Sequence, residues 1–180
     1  MSAFVCPCAA EEEECSYASW YAGASGGVLL PGGESGLKRA ASASVRAGHY
    51  VTEMFAVEAE AASAPHVVSR RAGGSTLTSA SVGGVLHLAH FTFYDRLFGS
   101  ERFDPFLSSG LHCAFASRHV FADASHRTAL GPYAGIGAFY HLTDSLSLRA
   151  EARADLCCDS PCFMLYGVCA GIQYSFGEDR

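Results

Sequence analysis

Thr52 to Ala61 reads T-E-M-F-A-V-E-A-E-A, and Thr143 to Ala152 reads T-D-S-L-S-L-R-A-E-A. Each stretch opens on a two-residue polar turn and continues in strict alternation. One side carries Phe55, Val57, Ala59 and Ala61, or Leu146, Leu148, Ala150 and Ala152. The other carries Ala56, Glu58 and Glu60, or Ser147, Arg149 and Glu151. A period of two over this length marks a β-strand whose faces meet different media. The same hairpin written twice predicts an architecture of repeated up-and-down strands.

Working outward from these hairpins, Gly, Pro and polar punctuation divides the chain into eight strand-like segments. They run over Ser19–Leu30, Ala40–Val51, Met54–Ser63, Thr76–Phe93, Pro105–Ala116, Ala129–Leu142, Ser145–Leu156 and Phe163–Phe176. Loops are expected at Ala64–Ser75, Tyr94–Asp104, Arg118–Arg127 and Cys157–Cys162. Two connections are minimal turns and most others are longer, which fits a barrel with tight turns at one rim and open loops at the other. The two related hairpins lie four strands apart, half of an eight-stranded circuit. The expected fold class is all-β, an eight-stranded antiparallel up-and-down transmembrane β-barrel spanning residues 19–176. Residues 1–18 would form an N-terminal leader and residues 177–180 a polar tail.

The totals agree with one domain. The chain has 180 residues, 49% of them hydrophobic and 17% charged, where about 25% charged is usual for soluble domains. A net charge of −6 with no basic cluster argues against a nucleic-acid partner. No apolar run reaches the ~18 residues of a transmembrane helix, which leaves a membrane barrel open. Ser2 to Ala10 reads either as the tail of a secretory signal cut after Ala10 or as a disordered N-terminus, followed by the acidic run Glu11–Glu14.

Function turns on which strand face points inward. A soluble carrier barrel would enclose the apolar set, and a membrane barrel would display it. Three features favour display. The Gly, Ser and charge-bearing side mixes very small with long polar residues, as a narrow interior requires. The opposite side is aliphatic, with Trp20, Tyr140, Tyr174 and Phe176 at its ends, as in the aromatic girdles of both membrane interfaces. The strands are also long for a soluble sheet and match a tilted membrane span. Charges inside must then be paired, so Arg46, Arg149 and Arg153 are expected to meet Glu58, Glu60 and Glu151 across the lumen as a structural network closing the interior. The bland alternative is that these are solvated charges outside a soluble barrel.

Several stretches resemble the small eight-stranded outer-membrane β-barrels of Gram-negative bacteria, the outer-membrane protein A-like barrel group. They are W-Y-A-G-A-S-G-G-V-L-L-P-G (Trp20–Gly32), R-F-D-P-F-L-S-S-G (Arg102–Gly110), the stretch Gly131–Arg153 and the closing G-V-C-A-G-I-Q-Y-S-F (Gly167–Phe176). The resemblance covers about Ser19 to Phe176. It implies residence in the bacterial outer membrane, with lipopolysaccharide as the lipid partner. It also implies recognition of the closing strand by the β-barrel assembly machinery through Ile172, Tyr174 and Phe176. Gly177–Arg180 extend past the aromatic at which the family often stops. The resemblance does not extend to the family's peptidoglycan-binding second domain, so no wall anchoring is expected.

Of the 8 Cys, Cys157, Cys158 and Cys162 fall in the last loop. A disulfide from Cys162 to one of the other two is the leading expectation, with zinc as a rival lacking a nearby His. Cys6, Cys8 and Cys15 lie in the N-terminal segment, while Cys113 and Cys169 read as small apolar strand residues. The 8 His read as rim and surface groups. No cofactor, metal or enzymatic role is expected and a monomer is, the role being structural, adhesive or that of a minor conduit. Two readings remain open beside it. One is a lipid-modifying membrane enzyme, with Ser125–His126 or His141–Ser145 as candidates. The other is a soluble lipocalin-like carrier.

Overall fold

The computed structural model describes residues 18–32, 38–69, 73–89, 102–117, 128–158 and 162–178. Eight strands follow in order: β1 Ala18–Pro31, β2 Ala40–Thr52, β3 Phe55–Ser69, β4 Gly73–His87, β5 Phe103–Ala116, β6 Thr128–His141, β7 Leu146–Cys157 and β8 Phe163–Glu178. Every neighbour is antiparallel, and β1 pairs with β8, so the sheet closes into a barrel. Closure leaves no sheet edge, and every strand finds its backbone partners within the wall.

Burial follows the alternation. Val45 and Ile136 are each 60% exposed and Ile172 is 56% exposed, all on the outer face. Arg46, Glu58, Arg149 and Glu151 are at most 5% exposed, all on the inner face. The fold is therefore inside out relative to a water-soluble barrel: aliphatic outside, ionic within.

Three expectations need correction. β3 runs on to Ser69, where the sequence had suggested a loop from Ala64. Pro65 cannot donate to the ladder, and the strand absorbs it in a register shift between Ala64 and Val67. β4 ends at His87, and Leu88 and Ala89, expected to continue it, have left the strand; the rest of the expected extension, to Phe93, lies outside the described residues. The rims are also less asymmetric than expected. The start of β1, the end of β8, the turns 53–54 and 142–145 and the strand ends joined by the fifteen-residue connection 88–102 share one rim, here the terminal rim. The far rim carries 32–39, 117–127, 158–162 and a connection of only 70–72. The turn after β6 is fixed by Thr143, whose hydroxyl accepts from the Leu146 amide at 3.0 Å.

Side chains fill the lumen in layers. At the terminal rim, Tyr21, Ala56, Val85, Phe106 and Phe139 pack with Tyr50. At the far rim a second apolar cluster includes Val67, Leu77, Ala114, Cys157, Phe163 and Leu165. Glycine makes the first layer possible at Gly48, where a Cβ would fall 2.2 Å from the Tyr21 ring.

Candidate functional site

The ionic layer lies between these apolar clusters. β7 contributes Arg149, Glu151 and Arg153 from successive inward positions, and β2 and β3 contribute Arg46, Glu58 and Glu60. Arg149 holds both oxygens of Glu58, at 2.5 and 3.2 Å, and donates to Glu151 at 2.9 Å. Arg46 donates to Glu151 at 2.9 Å and to Glu60 at 3.4 Å, and stands 3.6 Å from Glu58. Arg153 donates to Glu60 at 2.9 Å. The six residues thus meet across the barrel, β7 joined to β2 and β3 over spans of 91 to 105 positions in sequence.

Four further residues join this layer without having been singled out for it. Asp155 accepts from Arg153 Nε at 2.5 Å. The Tyr21 hydroxyl donates to Glu58 at 2.9 Å, and the Ser108 hydroxyl to Glu151 at 2.8 Å. His112 Nδ1 stands 3.9 Å from Asp155. Parity was the available signal, since each occupies an inward position of its strand. The aromatics support the cations as well: Arg153 lies 3.7 Å over the Tyr133 ring and Arg149 4.5 Å over Phe106.

On the far-rim side of this layer is a cavity of about 90 Å³, lined by Ser25, Ser42, Ser44 and Ser79 together with Glu60, Arg153 and Asp155. On the other side, His87 Nδ1 pairs with Asp104 at 2.5 Å, and His141 Nδ1 meets the Ser147 hydroxyl at 2.8 Å. Histidines expected at the rim or surface are therefore interior groups: His87 is 3% exposed and His112 2%. His49 is the exception, packed on Trp20 at 4.6 Å. His66 and His90 fall outside the described side chains, as do His119 and the pair Ser125–His126. His141 meets Ser147, its cross-strand partner in the β6–β7 register, while Ser145 lies in the turn between the two strands.

The aromatics Trp20, Tyr140, Tyr174 and Phe176 all face outward. Register puts all four at the terminal rim, with Trp20 beside Phe176 and Leu146 beside Tyr174. They do not mark both ends; among the described residues Phe115 and Tyr166 are the exposed aromatics toward the far rim.

Of the three cysteines expected to supply a disulfide, Cys158 and Cys162 stand side by side, and Cys157 does not join them. Cys157 turns into the lumen, 3.5 Å from His112 Nε2, while Cys158 and Cys162 are exposed. The Cys158 thiol is pushed above its ordinary value by lost hydration and by the adjacent Cys162 sulfur. Cys169 is inward, 3.8 Å from Arg46. Cys6, Cys8 and Cys15 lie outside the described residues.

No family model and no curated protein matches the chain. Among solved structures it is similar to Neisserial surface protein A, with a TM-score of 0.69, 16% identity, and coverage of 89% of this chain and 99% of that one. It is similar to the N-terminal β-barrel domain of Pseudomonas aeruginosa OprF, at 0.58 and 16%, covering 88% and 99%. This chain has the fold of the small eight-stranded outer-membrane barrels. Ail, the attachment invasion locus protein of Yersinia pestis, shares it at a TM-score of 0.54 and 13% identity, with 88% and 97% covered. At these identities the barrel's role has to be argued from its own residues.

Proposed function

We propose that this barrel resides in a bacterial outer membrane as a structural or adhesive protein with a closed polar lumen, performing no chemistry of its own. The observation that carries the reading is the inversion of its two faces. Leu130 and Ile136, 58% and 60% exposed, stand on the same strand as buried Tyr133 and Phe139, and such an outer face is stable against hydrocarbon rather than water. The Arg–Glu layer, with apolar clusters on either side of it, supports a lumen shut to solutes much larger than water. The soluble carrier is disfavoured because the inner face is the ionic one.

The test is extraction and electrophoresis, followed by planar-bilayer recording. The barrel should leave membranes only with detergent, migrate differently before and after boiling, and give no large steady conductance. Recovery in a detergent-free soluble fraction would contradict the location, and a stable wide pore would contradict the closed lumen.

Charge favours adhesion over a purely structural role. The far-rim connections hold Lys38, Arg39, Arg70, Arg71, Arg118 and Arg127 against Glu34, Asp123 and Asp159, although the whole chain is acidic. That excess favours an anionic partner surface, and Ail has been crystallised with the heparin analogue sucrose octasulfate. Reconstituted barrel should bind immobilised heparin with an affinity that falls as salt rises. Salt-independent binding, or none at low ionic strength, would remove this reading and leave the structural one.

A further inference from the structure

Three wholly buried polar atoms near the terminal rim have no hydrogen-bond partner within the described protein: His87 Nε2, Gln173 Oε1 and Arg149 Nε. They belong to one layer. His87 stacks on Phe139 at 5.4 Å, and Arg149 lies 5.2 Å over that same ring. Tyr50, 5.4 Å from the His87 ring, also meets the Gln173 side-chain amide. Buried polar groups nearly always find a partner, in protein or in ordered water.

The chemistry of the three atoms identifies that partner. A carboxylate only accepts, so the Asp104 contact keeps a proton on His87 Nδ1. Gln173 Oε1 is an acceptor and Arg149 Nε–H a donor, while His87 Nε2 takes whichever role its ring leaves it. A small anion would satisfy Arg149 and be repelled by the Gln173 oxygen. A metal cation would satisfy that oxygen and be repelled by the guanidinium. Water donates twice and accepts as well, so it meets all three requirements at no cost in charge.

We propose that this layer is an internal hydration site, holding one or more ordered water molecules against His87 Nε2, Gln173 Oε1 and Arg149 Nε. The site joins the Glu58–Arg149 pair to the His87–Asp104 pair, so the polar interior continues through the aromatic packing toward the terminal rim. Its floor is wet, and it selects a neutral molecule over either kind of ion.

Water-selective nuclear magnetic resonance on the whole, isotope-labelled barrel in lipid nanodiscs tests this directly. Cross-peaks should link the His87 ring protons and the Gln173 amide to water, with the sign of a long-lived bound molecule. Gln173→Leu should shorten the bound lifetime reported at His87. A high-resolution crystal structure should place density within hydrogen-bond reach of the three atoms. Absent cross-peaks with a dry layer in the density would overturn the proposal. So would an anomalous signal there after soaking with bromide or rubidium, or a His87 lifetime untouched by Gln173→Leu.

Discussion

Arg149 grips both oxygens of Glu58 and one of Glu151 while its guanidinium lies over Phe106. Removing it leaves two buried carboxylates short of their cation. Arg149→Met should therefore lower unfolding stability by about 3–5 kcal/mol, the usual consequence of breaking a buried pair from one side. Urea titration in vesicles, followed by the folded-to-unfolded gel shift, measures this. Adding Glu58→Gln to that variant should recover part of the loss, since it removes the orphaned charge. An unchanged midpoint in the single variant would mean that the layer is looser than its geometry. The partners of Arg149 were legible in sequence because the two hairpins align Glu58 with Arg149 half a circuit apart. Tyr21, Ser108 and His112 were not, for sequence parity puts a residue on the inner face without saying how high in the lumen its tip reaches.

Alternation decides reactivity at the end of β7. Cys157 faces the lumen against His112, and Cys158, one residue on, is exposed beside Cys162. The expected outcome of thiol alkylation on folded barrel is modification of Cys158 and Cys162 alone among these three, with Cys157 reacting only after unfolding. The raised Cys158 value leaves less thiolate at neutral pH, so its alkylation should be slow there and accelerate as pH climbs beyond the ordinary cysteine range. Mass spectrometry after timed quenching reads both, and early labelling of Cys157 would show that the far-rim cluster opens. Elements were read correctly wherever a strand kept its period and incorrectly where it absorbed an irregularity. Pro65 looked like a strand end and is a bulge, because the ladder can skip one donor when register shifts around it. The cysteine loop shows the same limit: spacing placed three cysteines together, and strand parity turns Cys157 inward while Cys158 stays beside Cys162.

The whole molecule rests on the outer face of β1 to β8 touching hydrocarbon. The sequence favoured an aliphatic stripe facing outward, and closure with Arg46, Arg149 and the glutamates inside bears that orientation out. The rims were harder to read, because connection length does not reveal which connections share an end; counting strands from a terminus does. The chain carries a single tryptophan, Trp20, 52% exposed on the outer face near the terminal rim. No engineered probe is needed. Barrel reconstituted into vesicles of lipids brominated at different depths should show Trp20 fluorescence quenched, most strongly by bromines near the headgroups and least by those at the bilayer centre. Fluorescence indifferent to bromine at every depth, yet quenched by acrylamide in the water phase, would contradict a lipid-facing outer surface.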